Sequence, residues 1–352
     1  MRAALAIFLL VRAVRASPCA FGEEPGTWSR TDWDSIPSHG TTLDYFRLDD
    51  SKESVWLEGS KEPSDTPFGS AWQTLNPECQ LTNILTQYLS SPVPLARNIT
   101  VAFLGDSNDE HELNFLCMAY HARHGYSHWA AYIHSHRTVN YCILDSGLTL
   151  VQLYSMAIVE EEERGKVRTL RKFFDGDDSE AYSLWDGYEG TKGVLEGRDK
   201  DVAKIRGREP DLVVCSNTYW ALNGFVSRDP SAKLVHTGYL TEYARAMHTL
   251  VGSVREAFPK SKVGLRTSHQ VRSDCFDGDT TRRAWGKKAW VAQINAAKRA
   301  VAHSERRRGH NVHLFDGELM ASAFTPTQST HDDIHYKAWL GLEFLNVYLN
   351  VA

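Results

Sequence analysis

Hydrophobic positions along this chain fall into two alternating spacings. Short apolar runs at 100–105, 138–144, 211–216, 261–266 and 311–315 have the length and composition of buried strands. Between them lie segments with helical stripes. Leu240, Tyr243, Met247, Val251, Val254 and Phe258 share one face of a helix predicted over 239–258, and Trp290, Ile294, Ala297 and Val301 do so over 285–303. Pro259 and Gly309 punctuate the two helix ends, and Arg306-Arg307-Arg308 suits the negative end of the second helix dipole. Further helices are predicted over 81–89, 110–121 and 338–349. Strands alternating with helices predict an α/β fold, a parallel sheet of about five strands covered on both faces in a three-layer α/β/α sandwich.

The pattern is weaker elsewhere. Residues 17–95 are rich in Ser, Pro, Asp and Trp and predict an irregular arm packed on the main domain, 96–352. Residues 160–209 are charged, with little periodicity, and predict a solvated insertion. Its Asp175-Gly-Asp-Asp178 lacks the ligand register of a calcium loop. Met1-Arg2, a short apolar core from Ala3 to Val11 and small residues around position 16 predict a signal peptide over 1–16, too short to span a bilayer.

The chain has 352 residues, 42% of them hydrophobic, enough for one large α/β domain. A net charge of −5 gives no electrostatic case for nucleic acid as a partner. The six cysteines, Cys19, Cys79, Cys117, Cys142, Cys215 and Cys275, fit disulfides in a secreted protein, with the pairing open. Cys215, inside an apolar run, reads as a buried free thiol. Asn98-Ile99-Thr100 is a glycosylation sequon placed just before the first core strand. His121 and His124 share a helix face, but no carboxylate completes a zinc motif, so no metal is expected.

The chemistry concentrates at two separated places. Gly105-Asp106-Ser107 ends the first core strand and leads into a helix, where backbone N–H groups and the helix dipole favour a nucleophile and the oxyanion it forms. Near the C-terminus, Asp332 and His335 are spaced to place a carboxylate behind an imidazole. A serine hydroxyl needs such a base, and the base needs an orienting acid. Taken alone, Asp332 reads equally as a helix N-cap and His335 as an exposed loop histidine. A third segment, Asp211 to Leu222, ends an apolar strand in Ser216-Asn217. Asn217 is there either an oxyanion donor or a partner for loop backbone, and Trp220 either a sugar-stacking wall or a packing residue.

These blocks resemble the SGNH/GDSL hydrolase superfamily. Within it, Gly105 to Cys117, Trp290 to Val301 and Asp332-Asp-Ile-His335 look like the PC-esterase-like branch, which includes polysaccharide O-acyl esterases and acetyltransferases. The resemblance runs over about 98–350. It implies a flavodoxin-like sandwich without cofactor, with Ser107 as nucleophile, His335 as base, Asp332 as its orienter and Asn217 as oxyanion donor. Gly147 is the best match to the second-block glycine, with a turn glycine as its plain alternative. Ser216-Asn217-Thr218 lacks the third-block glycine, and Asn108 and His111 stand where the branch often has a basic residue. The function expected is a secreted or Golgi-lumenal carbohydrate O-acyl esterase or acyltransferase, monomeric, acting on an acylated sugar or other small ester. The alternatives are a catalytically degenerate glycan-binding protein and, less favoured, a lipase or phospholipase, which needs a large apolar mouth.

Overall fold

The computed structural model describes residues 23, 26–30, 70–124, 128–130, 139–155, 160–175, 203–229, 231–271, 285–322, 324, 329–330, 334–336 and 338–352. The expected signal peptide, most of the N-terminal arm, Cys19, Cys275 and Asp332 lie outside them.

The strands are β1 (Gly26–Arg30), β2 (Ser70–Thr74), β3 (Ile99–Gly105), β4 (His128–Ala130), β5 (Val139–Ile143), β6 (Leu148–Tyr154), β7 (Leu212–Ser216), β8 (Lys262–Arg266) and β9 (Val312–Phe315). The main helices are α1 (Ile84–Ser90), α2 (Ser107–His124), α3 (Glu160–Asp175), α4 (Tyr219–Arg228), α5 (Thr237–Ala257), α6 (Lys288–Arg307), α7 (Gly317–Ala321) and α8 (Ala338–Val351). Strands β3 to β9 form one seven-stranded sheet in the order β4-β5-β6-β3-β7-β8-β9.

Strands β6, β3, β7, β8 and β9 are mutually parallel, while β5 runs antiparallel to β6 and β4 antiparallel to β5. The sheet therefore exceeds the expected size. The 138–144 run is one arm of a hairpin rather than a parallel strand, and the parallel neighbour of β3 is β6, an element the apolar pattern does not reveal.

Both faces of the sheet are covered, giving the three-layer α/β/α sandwich. Along β3 every residue is buried, and the alternation of side chains divides them between the two cores. Ala102 and Leu104 face α3, α4, α5 and α6; Val101 and Phe103 face α1, α2 and α8. The stripes on α5 and α6 are buried as their spacing predicts: Tyr243, Met247, Val251 and Val254 on one, Trp290, Ile294 and Val301 on the other. Gly309, at φ +82°, ends α6 in the left-handed conformation that glycine tolerates.

Two expectations are corrected here. Glu160–Asp175 is not part of a solvated insertion; it is helix α3, and it buries Val167, Leu170, Phe173 and Phe174 against the core. Its leading run of four glutamates hides the stripe that follows. The arm is also less irregular than its composition suggests, because β1 and β2 pair as an antiparallel ribbon. Trp72 of β2 is buried, and its N–H donates to Glu343 of α8 at 3.0 Å.

Cys117 of α2 is disulfide-bonded to Cys142 of β5, Cys79 is also in a disulfide, and Cys215 is a buried free thiol. Asn98 stands exposed immediately before β3. Among the described residues no helix is long and apolar enough to cross a membrane.

Candidate active site

Strand β3 occupies a special place in the sheet. The chain leaves it towards β5 and β6 on one side and later returns to β7 on the other. At such a switch point the crevice beyond the carboxyl ends of the strands is where open α/β sheets hold ligands. Ser107 lies there, two residues past the end of β3, as the first residue of α2. The helix thus starts earlier than the apolar pattern suggests. Its first turn, Ser107-Asn108-Asp109-Glu110, is polar and carries its acidic residues where the dipole favours them.

The turn is fixed from below. A Cβ on Gly105 would lie 1.8 Å from Asp109 Oδ2 and 2.2 Å from Ser216 Oγ, so only glycine fits. Asp109 Oδ2 accepts from the Asp106 N–H at 3.0 Å and from the Ser216 hydroxyl of β7. Asp106 Oδ1 accepts from the Asn108 N–H at 3.0 Å, and Gln152 of β6 donates to the Asp106 carbonyl at 2.8 Å. Beneath, the buried Arg266 at the end of β8 pairs with Asp109 at 3.1 Å and with Glu112. Burial pushes the Asp109 carboxyl up to about 6 against the opposing pull of Arg266, and burial likewise raises Glu112.

His335 meets this turn from the other end of the chain. Its Nε2 lies 2.7 Å from Ser107 Oγ across 228 residues of sequence. The imidazole is 9% exposed, so it is not a free loop histidine. Anchors on both sides hold it. The Ile334 carbonyl accepts from His269 Nε2 at 2.7 Å, and Tyr336 bridges to Thr330 and packs on His269 and Phe344. On its face the ring stacks against His111, 4.1 Å away and inclined by 8°. His111 stands four residues after Ser107, on the same helix face, a spacing that sequence alone displays. Asp332 lies outside the described residues.

Asn217, 2% exposed at the end of β7, is at the right edge of the sheet. Its amide Nδ2 donates to the Ser155 carbonyl at 3.1 Å and to Ser155 Oγ at 3.2 Å. A carbonyl can only accept, so it selects this orientation of the amide, which ties the end of β7 to the residue after β6. Trp220, in the first turn of α4, packs edge-to-face on Trp285 at 5.4 Å and lies near the Tyr154 hydroxyl.

Gly147 is not at this site. It closes the β5–β6 hairpin at φ +98°, and its carbonyl accepts from the N–H of Ile99, at the start of β3. Ser107 follows the opposite end of that strand, about 20 Å away at the rise of a seven-residue strand. Gly147 is the turn glycine of its plain reading. The position beside Gly105 belongs to Tyr154, and Ser155 follows with its N–H on the Gly105 carbonyl at 2.6 Å.

Tyr154 is the site residue that sequence reasoning missed. It is 1% exposed, and the Ser107 and Trp220 side chains lie near its hydroxyl. Burial first, then the nearby Asp106 charge, hold the phenol well above its ordinary value. Its strand, Leu148–Tyr154, is broken by Thr149 and Gln152, so no apolar run marks it in the sequence.

No protein-family model matches the chain, and no curated protein sequence matches it. Among solved structures, a lipase/acylhydrolase from Enterococcus faecalis aligns over 72% of this chain and 93% of its own, at 12% identity and a TM-score of 0.35. The salicylyl-acyltransferase SsfX3 from a tetracycline biosynthetic pathway aligns over 72% of this chain and 53% of its own, at 12% identity and a TM-score of 0.33. Overlaps of this quality carry no inference about chemistry.

Proposed function

We propose that this chain is a serine-dependent carbohydrate O-acyl esterase or acyltransferase working through an acyl-enzyme on Ser107. The observation that supports this reading most is the 2.7 Å contact between Ser107 Oγ and His335 Nε2 at the sheet's switch point. With Nε2 accepting the serine proton, the neutral imidazole carries its own proton on Nδ1, the side an acid such as Asp332 would hold.

In the first half-reaction Ser107 Oγ forms a bond to the ester carbonyl carbon while its proton passes to His335. The tetrahedral intermediate collapses as the carbon–alkoxide bond breaks, and His335 returns the proton to the leaving sugar oxygen. Water, or a second sugar hydroxyl, then repeats the sequence on the acyl-enzyme. The Cys117–Cys142 disulfide fits an oxidising compartment and supports placing the protein in the secretory pathway.

Hydrolysis of p-nitrophenyl acetate and of acetylated oligosaccharides tests the reading. Ser107→Ala should abolish the hydrolysis. An unchanged rate in that variant refutes the assignment. The commitment of the Asn217 amide to Ser155 favours a second reading, a glycan-binding protein without turnover. A fluorophosphonate probe separates the two: labelling of Ser107 excludes the binder, and glycan binding without labelling supports it.

A further inference from the structure

We infer that His111 is a positioning residue for the base, a flat surface on α2 that fixes the plane of the His335 ring while Ser107, on the same helix, engages its Nε2. This rests on the reading of Ser107 and His335 as nucleophile and base. It adds to that reading the group that keeps the base aimed.

A single hydrogen bond does not determine how an imidazole sits. The 2.7 Å contact between His335 Nε2 and Ser107 Oγ fixes one ring atom. It leaves rotation about the Cβ–Cγ bond, a torsion whose minima are broad. The lone pair that takes the serine proton lies in the ring plane, so that rotation turns it away from the hydroxyl and weakens the bond. A contact on the face of the ring is what sets the plane.

His111 makes that contact. The two ring centroids are 4.1 Å apart and the planes are inclined by 8°, so the rings lie face to face. Both are buried, with 7% of His111 and 9% of His335 exposed. The helix dictates the pairing. Four residues make about one turn, which puts Ser107 and His111 on one face of α2, one above the other. His335 touches both, and the spacing between its two contacts is set by the helix. His111 is backed in turn. Phe115, a further turn along the same face, meets it edge-on at 6.0 Å and 84°. Phe115 lies against α8 at Gly341, where a Cβ would come within 3.4 Å of its ring. Nucleophile, ring support and backing thus follow one another along a single row of α2.

In this role His111 moves no proton, and what it supplies is a flat ring. The test therefore compares His111→Phe, which keeps a flat ring, with His111→Leu, which fills similar space without one. Hydrolysis of p-nitrophenyl acetate is measured for both beside wild type and Ser107→Ala. His111→Leu is expected to lower kcat by about ten- to a hundredfold, the order of loss from a small misplacement of a reacting group, with KM changed by less than about threefold. His111→Phe is expected to recover at least about fivefold in kcat over His111→Leu. A role in packing alone would not separate two apolar side chains in this way, nor confine the loss to kcat. Should His111→Leu fail to fold, His111→Met makes the same comparison with a flexible chain.

A kcat for His111→Leu within about threefold of wild type overturns the inference, and so does a His111→Phe that recovers less than about twofold. Either result leaves the proposed function standing as long as turnover still depends on Ser107. If the wild type itself shows no Ser107-dependent turnover, both fall.

Discussion

Replacing Glu343 with glutamine should make the protein more stable at neutral pH and remove a pH dependence that has nothing to do with catalysis. Glu343 lies in α8 with 1% of its surface exposed, between that helix and β2. Its Oε1 accepts the backbone N–H of Trp72 at 3.0 Å. Burial raises its carboxyl from 4.5 to about 8, with the bonds from Trp72 and Asn346 opposing only in part. The folded protein therefore keeps this proton up to about pH 8, whereas the unfolded chain releases it near 4.5.

Because the folded value is the higher one, stability is fully present below pH 4.5 and drains away as pH rises through 8. Each pKa unit is worth about 1.4 kcal/mol, so the loss is about 3 kcal/mol by pH 7 and about 5 kcal/mol across the whole interval. Glutamine is nearly the same shape, accepts from Trp72 with its carbonyl oxygen and never ionises. The assay is urea denaturation of the disulfide-intact protein, wild type against Glu343→Gln, at pH 4.5, 6, 7 and 8. The difference in unfolding free energy should be near zero at pH 4.5 and grow in favour of the variant by about 3 kcal/mol at pH 7. A difference that stays flat with pH, or that grows in favour of wild type, refutes the reasoning.

Gly105→Ala should prevent accumulation of folded protein, because the new methyl would meet Asp109 and Ser216 at under 2.5 Å with both anchored; a soluble variant of wild-type melting temperature would contradict this. Gly147→Ala forces alanine into φ +98° against Asn98, so about 1–3 kcal/mol of stability should be lost by denaturation while kcat per folded molecule stays unchanged; a selective fall in kcat would return Gly147 to the site. Replacing both Cys117 and Cys142 by alanine opens a cross-link spanning 25 residues and should cost about 3 kcal/mol, measured the same way. His269→Ala removes the donor that holds the Ile334 carbonyl and should lower kcat at least tenfold on the ester substrate; equal kcat would show that the loop is held by its other contacts.

What could be read from the sequence depended on how the chain hides or displays burial. Strand β3 was legible because Val101 to Leu104 is apolar without a break. Strand β6 was not, because Thr149 and Gln152 interrupt it; both are buried, and Gln152 is satisfied by Asn140 and the Asp106 carbonyl. Missing β6 had a direct cost. Without the hairpin, Gly147 stood as the best match to the second-block glycine, and Tyr154 was not singled out. Helix α3 was hidden by Glu160 to Glu163, although Val167, Leu170, Phe173 and Phe174 keep helical spacing behind them. The Ser107–His335 pair was legible because a nucleophile and its base demand particular side chains. Their supports, Asp109, Arg266 and His269, act through burial and long-range contact, which no local pattern displays.

The nucleophile's helix is braced along its whole length. Helix α2 is pinned at its first turn by the ion pairs of Arg266 with Asp109 and Glu112, and near its middle by the Cys117–Cys142 bond. Its far end is tied by Tyr120 to the Ser91 carbonyl and by His124 to the Leu89 carbonyl. Such a helix cannot slide along its axis or turn about it without breaking several of these ties at once. Among the described residues, the segment around His335 is held by the His269–Ile334 bond, the Thr330–Tyr336 bridge and ring packing. If substrates of different bulk are to be accommodated, the serine on its braced helix acts as the fixed reference point against which they are placed.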